Sequence, residues 1–241
     1  MSNVEQTLER LAQAFTAQNI MSGIDKLVCA SNEAQALSLL KSNPSYDLIP
    51  ILTNGGATLY LERGQKNSKQ VNIRDLVSEA TPILDLVDIL TSQKFCFVLS
   101  NRTIAGLVHF SDLNNHLVKL PFFVILEALE QHLLGKVGPS IDENSIKEIF
   151  GQDKFDELEF KMQRLKKHRA DLDWVNLLSF KLVVEAACHL GLVTLQVQEV
   201  RLVSEVRNLV AHADRTFVEK HSDISRLSET KRLCLSILGQ P

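Results

Sequence analysis

The sequence predicts an α+β fold in two parts, a duplicated α/β unit followed by an all-helical unit. Three observations predict it: two similar segments in the first half, a cluster of punctuating residues at Gly135, Gly138 and Pro139, and no strand-like alternation after that cluster. The expected organisation is an N-terminal helix over 1–19, the duplicated unit over 20–138 and the helical unit over 139–241.

Residues 3 to 17 form the first expected helix, with Val4, Leu8, Leu11 and Phe15 at helical spacing. The two similar segments begin at Asp25 and Arg74, and each reads as a capped helix, a short apolar strand, a turn and a return strand. In the first copy Ser31 or Asn32 caps a helix reaching Leu40. Leu48 to Leu52 is the strand, Asn54-Gly55-Gly56 the turn, and Ala57 to Leu61 the return. In the second copy Thr81-Pro82 supplies cap and N1, Phe95 to Leu99 the strand, and Ile104 to His109 the return. Duplication predicts a pseudo-twofold unit with a cleft between the copies.

Leu120-Pro121 opens a long apolar helix running to Val137. Ser140 and Asp142 then signal a new start, and helices are expected at about 141–150, 153–168, 173–190, 195–213 and 223–238. Leu177, Phe180, Val184 and Cys188 mark the apolar face of the third, and Val197, Val200, Val203, Val206 and Val210 that of the fourth. Gly191 stands where a helix-terminating glycine is expected.

The 241 residues are 45% hydrophobic and 23% charged, enough for sizeable cores. A net charge of -3 argues against a surface that coats nucleic acid throughout, and leaves room for a local basic groove. No stretch reaches the about 20 apolar residues that span a bilayer, and the N-terminus has no signal-peptide pattern, so a cytoplasmic protein without a membrane partner is expected. Cys29, Cys96, Cys188 and Cys234 are scattered without a CxxC, which fits reduced, buried thiols rather than a metal site or a disulfide.

The stretches DLIPIL (Asp47 to Leu52) and GLVHFSDL (Gly106 to Leu113) resemble tandem CBS domains, the Bateman module. The resemblance covers about residues 20 to 135. It implies an α/β pair that binds an adenosine nucleotide (AMP, ADP or ATP) through a stretch of Gly, two apolar residues, Thr or Ser, two variable residues and Asp. Gly106 and Asp112 match that stretch, with His109 at the hydroxyl position. The first copy departs further, with Leu59, Glu62 and Gln65 at the three positions. A carboxylate can accept hydrogen bonds from both ribose hydroxyls, and a following helix N-terminus favours phosphate. Asp112 reads equally well as a first-turn acid needing no ligand.

The segment EVRNLVAHADR, with Arg207, Asn208 and His212, resembles the HEPN family of helical domains, over about residues 145 to 240. That resemblance implies an all-α bundle and a metal-independent endoribonuclease, with no catalytic cofactor and a site completed across a homodimer. Arg102 with His109 and Arg215 with His221, seven and six positions apart against five for Arg207 with His212, fall within the same loose Arg-to-His pattern, but Arg207 lies in a strongly periodic helix near its end. In a continuous helix Asn208 and His212 lie about 40° apart and Arg207 and His212 about 140° apart. The residue types suit RNA cleavage. Histidine can take the proton of the ribose 2′-hydroxyl or give one to the leaving 5′-oxygen, arginine can hold the charging phosphate, and Asn208 can orient either. The product is then a 2′,3′-cyclic phosphate, and DNA is inert. Arg164, Lys166, Lys167, His168 and Arg169 form a basic run that could track RNA, or simply a solvated helix end. Three readings follow from the sequence: a nucleotide-regulated ribonuclease, a non-catalytic sensing and dimerisation adaptor, or a helical partner for a nucleotidyltransferase.

Overall fold

The computed structural model describes residues 10, 13–53, 56–167, 173–212 and 214–239. The helix expected over 1–19 and the turn at Asn54-Gly55 lie largely outside these residues. The chain divides into two compact units. The sheet-rich one comprises Gln13–Val118 and Thr216–Ser225, and the helical one includes Lys119–Arg215 and Arg226–Pro241.

In the sheet-rich unit the order is α1 (Ala17–Ile20), β1 (Ser22–Gly23), α2 (Glu33–Ser42), β2 (Leu48–Thr53), β3 (Gly56–Glu62), β4 (Lys69–Gln70), β5 (Leu76–Ser78), α3 (Ile83–Ser92), β6 (Phe95–Ser100) and β7 (Thr103–His109). Asn32 is the cap of α2, its side chain accepting from the Gln35 amide at 2.9 Å. Pro82 stands at the N-cap of α3, one place before the expected N1. The strands form two sheets, ordered β1-β7-β6-β5 and β2-β3-β4.

The duplication is visible residue by residue. The hairpin Leu48–Thr53 and Gly56–Glu62 recurs 47 positions on (95 less 48) as Phe95–Ser100 and Thr103–His109, and the register break at Ile51/Leu52 recurs at Val98/Leu99. The parallel bridge Ala30↔Ile51 recurs as Val77↔Val98. Each copy's leading strand completes the sheet of the other: β1 pairs with β7, and β4 with β3. Leu48, Tyr60, Phe97 and Leu107 make a core from both hairpins, with Tyr60 edge-on to Phe95 at 5.3 Å between ring centroids. Each such large apolar side chain, fully buried, contributes about 1.5–3 kcal/mol. Asn101 and Arg102 close the second hairpin with φ of 47° and 68°, the left-handed pair that a type I′ two-residue turn requires.

The returning segment Thr216–Ser225 is held within this unit by two side chains. Asn114 Oδ1 accepts from the Phe217 and Val218 amides at 2.9 and 2.8 Å while its Nδ2 donates to the Val218 carbonyl at 2.7 Å. The Nε2 of His221 lies 2.7 Å from the carbonyl of Leu90, at the end of α3.

Helix α4 (His116–Val137) starts five residues before Pro121, earlier than the sequence suggests. Asn115 caps it, Oδ1 accepting from the Leu117 amide at 3.0 Å, so the first turn forms ahead of the proline. The helical unit continues with α5 (Glu143–Phe150), α6 (Gln152–Lys166), α7 (Phe180–His189), α8 (Val197–Ala211) and α9 (Ile224–Leu238). The helix expected over 173–190 is a 3₁₀ turn at Trp174–Leu177 followed by α7, because Asn176 bonds back to the Asp173 amide at 3.0 Å and closes a local turn. Leu126, Leu129 and Leu133 of α4, Val183 and Val184 of α7, Val203 and Val206 of α8, and Leu233 and Cys234 of α9 are buried. Val197, expected on the apolar face, is 85% exposed at the first position of α8. Among the described residues no helix is long and apolar enough to cross a membrane.

Candidate functional site

Gly106, His109 and Asp112 lie together at the end of β7 and in the 3₁₀ turn Phe110–Asn114 that follows. Gly106 pairs with Gly23, and a Cβ at this position would stand 2.5 Å from the Ser22 carbonyl oxygen. Its lack of a side chain is what lets β1 approach. The equivalent position in the first copy, Leu59, faces Gln70 of β4 and carries a full side chain.

His109 and Asp112 form a reciprocal cap. The Asp112 carboxylate accepts from the His109 amide at 2.8 Å through Oδ2, and the His109 ring accepts from the Ser111 amide. Burial pushes the Asp112 carboxyl above its ordinary 3.8, against the lowering pull of the His109 amide and imidazole. His109 also bridges the two copies, its Nε2 lying 3.1 Å from Asp47 Oδ2, while Nδ1 lies 2.8 Å from Ser111 Oγ. With Nδ1 accepting from Ser111, Nε2 carries the proton donated to Asp47. Sequence reasoning missed Asp47 and Ser111 as partners of His109. The available signal was that Asp47 directly precedes the first strand of one copy and His109 ends the return strand of the other. In the first copy, Glu62 instead takes Lys69 Nζ at 3.0 Å, so the two ends of the duplication differ in charge and bonding.

In the helical unit, Arg207 and Asn208 lie on α8 and His212 is its C-cap. The helix stops at Ala211, two residues short of the expected end, and His212 has extended backbone (φ -112°, ψ 111°). Stacking of Asn208 and His212 on one helical face is therefore not imposed by the helix. Arg207 NH2 lies 3.6 Å from Glu130 of α4, whose side chain is 16% exposed. Burial raises the Glu130 carboxyl and Arg207 pulls it back down. A phosphate bound by Arg207 has to compete with that carboxylate. Glu205, two residues before Arg207 in the sequence, pairs with Arg201 at 2.7 Å. Asn208 and His212 are exposed.

Beside Asn208 an open groove of about 470 Å³ runs between α7 and α8, with Cys188, Leu195 and Val200 among its lining residues. Its cations are neutralised locally, Lys181 by Glu185 at 3.4 Å and Arg201 by Glu205. Arg164, Lys166 and Lys167 are exposed at the end of α6, where cations complement the helix dipole, and Arg169 lies outside the described residues. All four cysteines are free thiols. Burial raises Cys96 and Cys234 to about 12, which leaves them unreactive as nucleophiles. Among the described residues no group of three or more His, Cys, Asp or Glu is placed to hold a metal ion.

No protein-family model matches the chain, and no curated protein matches it. Among solved structures the chain is similar to the CBS domain of the bacterial CNNM/CorC family Mg2+ transporter in complex with ATP, at 16% identity and a TM-score of 0.35, over 48% of this chain and 94% of that one. It is also similar to the same domain in complex with the inhibitor IGN95a, at 15% identity and a TM-score of 0.33, over 47% of this chain and 83% of that one.

Proposed function

We propose that the chain is a nucleotide-regulated, metal-independent endoribonuclease acting as a homodimer, with a tandem CBS-type sensor in the sheet-rich unit and a HEPN-like effector in the helical one. The observation that carries the reading is the end of α8, where Asn208 and His212 face solvent and the Arg207 side chain remains 37% exposed. His212 serves as the acid or base, Arg207 stabilises the charging phosphate, and Asn208 orients one of them. A twofold partner sets a second α8 end beside the first and pools two Arg and two His. In the sensor, an adenosine nucleotide meets Gly106, His109 and Asp112, its ribose bonded by the second Asp112 oxygen, Oδ1. Incubating the protein with single-stranded RNA in EDTA, with and without AMP or ATP, tests both halves: cleavage is expected, at a rate the nucleotide changes.

The groove beside Asn208 favours a second reading. Its apolar lining and paired charges suit a protein partner better than a phosphate chain, as a non-catalytic adaptor would need. Absence of cleavage under every condition would decide for that reading.

A further inference from the structure

We propose that Lys119 is the positioning residue of His212, an inference that rests on the acid–base role given to His212. Lys119, near the start of α4, is 7% exposed, and apart from it Ser204 and Thr230 are the buried polar side chains among the described residues. Its Nζ donates to the carbonyl of His212 and to the carbonyl of Arg215, each at 2.7 Å.

The chemistry of a helix end explains why an ammonium belongs there. The last carbonyls of α8 and of the turn after it have no helical N–H to accept from, and they carry the negative end of the helix dipole. A buried ammonium is strongly disfavoured unless acceptors surround it, so Lys119 and these carbonyls satisfy each other. Two carbonyls three residues apart, gripped by one cation, fix the turn from His212 to Arg215. His212 has left the helix, so helical geometry does not orient its ring, and the direction of its Cα–Cβ bond is set by this turn. Lys119 touches no reacting atom in the mechanism. It acts through the His212 backbone, in the same unit as Arg207 and Glu130.

Lys119→Met keeps the stem and removes the donors, and Lys119→Arg keeps a cation. Three readouts are taken on the full chain: amide hydrogen exchange over 211–216, the His212 imidazole resonance identified by its loss in His212→Ala, and kcat and KM for RNA cleavage in EDTA. In Lys119→Met, exchange over 211–216 is expected to rise about tenfold or more with α5 unchanged, consistent with loss of a local anchor. The His212 resonance should shift, and kcat should fall about tenfold with KM and the pH profile retained, the pattern of a misplaced group of unaltered chemistry. Lys119→Arg should recover most of each. Unchanged exchange and an unchanged His212 resonance in Lys119→Met overturn the proposal, as does full kcat with a loosened turn. If the wild type does not cleave RNA, the ribonuclease reading fails by itself, and exchange and resonance still decide whether Lys119 positions His212. Should Lys119→Met not fold, Lys119→Gln, a neutral donor of shorter reach, is expected to give the same changes in smaller measure.

Discussion

Asp112 and Arg207 show how a residue singled out for chemistry is also held by its surroundings. Burial raises the Asp112 carboxyl above 3.8, so between that value and its native pKa the folded protein holds more protons than the unfolded chain. Stability therefore falls as pH rises through that window. Asp112→Asn, whose amide oxygen can still accept from the His109 amide, is expected to flatten this decline, as read from urea unfolding at a series of pH values. Arg207 offsets the burial of Glu130, so Arg207→Ala should destabilise the protein by about 1 kcal/mol, a modest figure because the pair is partly exposed. Adding Glu130→Gln should recover most of that loss in a double-mutant cycle, since the uncompensated carboxylate is then gone. Failure of the second substitution to rescue would mean that the ion pair contributes nothing. Residue identity was legible in the sequence and partnership was not. Asp112 as a first-turn acid is a local pattern, whereas Asp47 meets His109 across 62 positions and Glu130 meets Arg207 from another helix.

At the scale of elements, periodicity and punctuation located most of the structure. Both hairpins, the helices before them and the helices after Asp142 follow from apolar spacing and punctuation, with the expected side-chain cap formed at Asn32 and not at Thr81. The departures lie where a side chain outcompetes the pattern. Asn115 starts α4 ahead of Pro121, Asn176 closes a 3₁₀ turn before α7, and α8 ends at Ala211, before the Lys119-bound turn. The glycine of the expected nucleotide stretch has an element-level explanation that no single-strand pattern contains, because the strand it accommodates comes from the other copy. Gly106→Ala should force β1 away from β7 and cost about 2 kcal/mol, an overpacking effect visible as a lower urea midpoint. Leu59→Ala, at the equivalent place against β4, should act only through lost apolar contact. Equal effects at the two sites would contradict the close-approach account.

For the molecule as a whole, the repeat and the loss of strand-like alternation after Pro139 separated a sheet-rich part from a helical one, and the folded chain contains both. The Gly138-Pro139 punctuation is a 3₁₀ turn between α4 and α5, and the chain passes between the compact units within α4 and near residues 215–216 and 225–226. A sequence pattern marks breaks in helices, but tertiary packing decides which segments share a core, and the buried Phe217 and Val218 belong to the unit whose Asn114 holds them. On the proposed reading, a nucleotide effect on cleavage is a coupling between sites in the two units, and is therefore reciprocal. Whether the end of α8 does chemistry is the central question. The most direct measurement is cleavage of an end-labelled single-stranded RNA in EDTA by the wild type and by His212→Ala, with analysis of the product ends. The account predicts cleavage by the wild type alone, 2′,3′-cyclic phosphate ends, and no cut at a position carrying a 2′-deoxyribose. Equal cleavage by His212→Ala, or none by either protein, would contradict it.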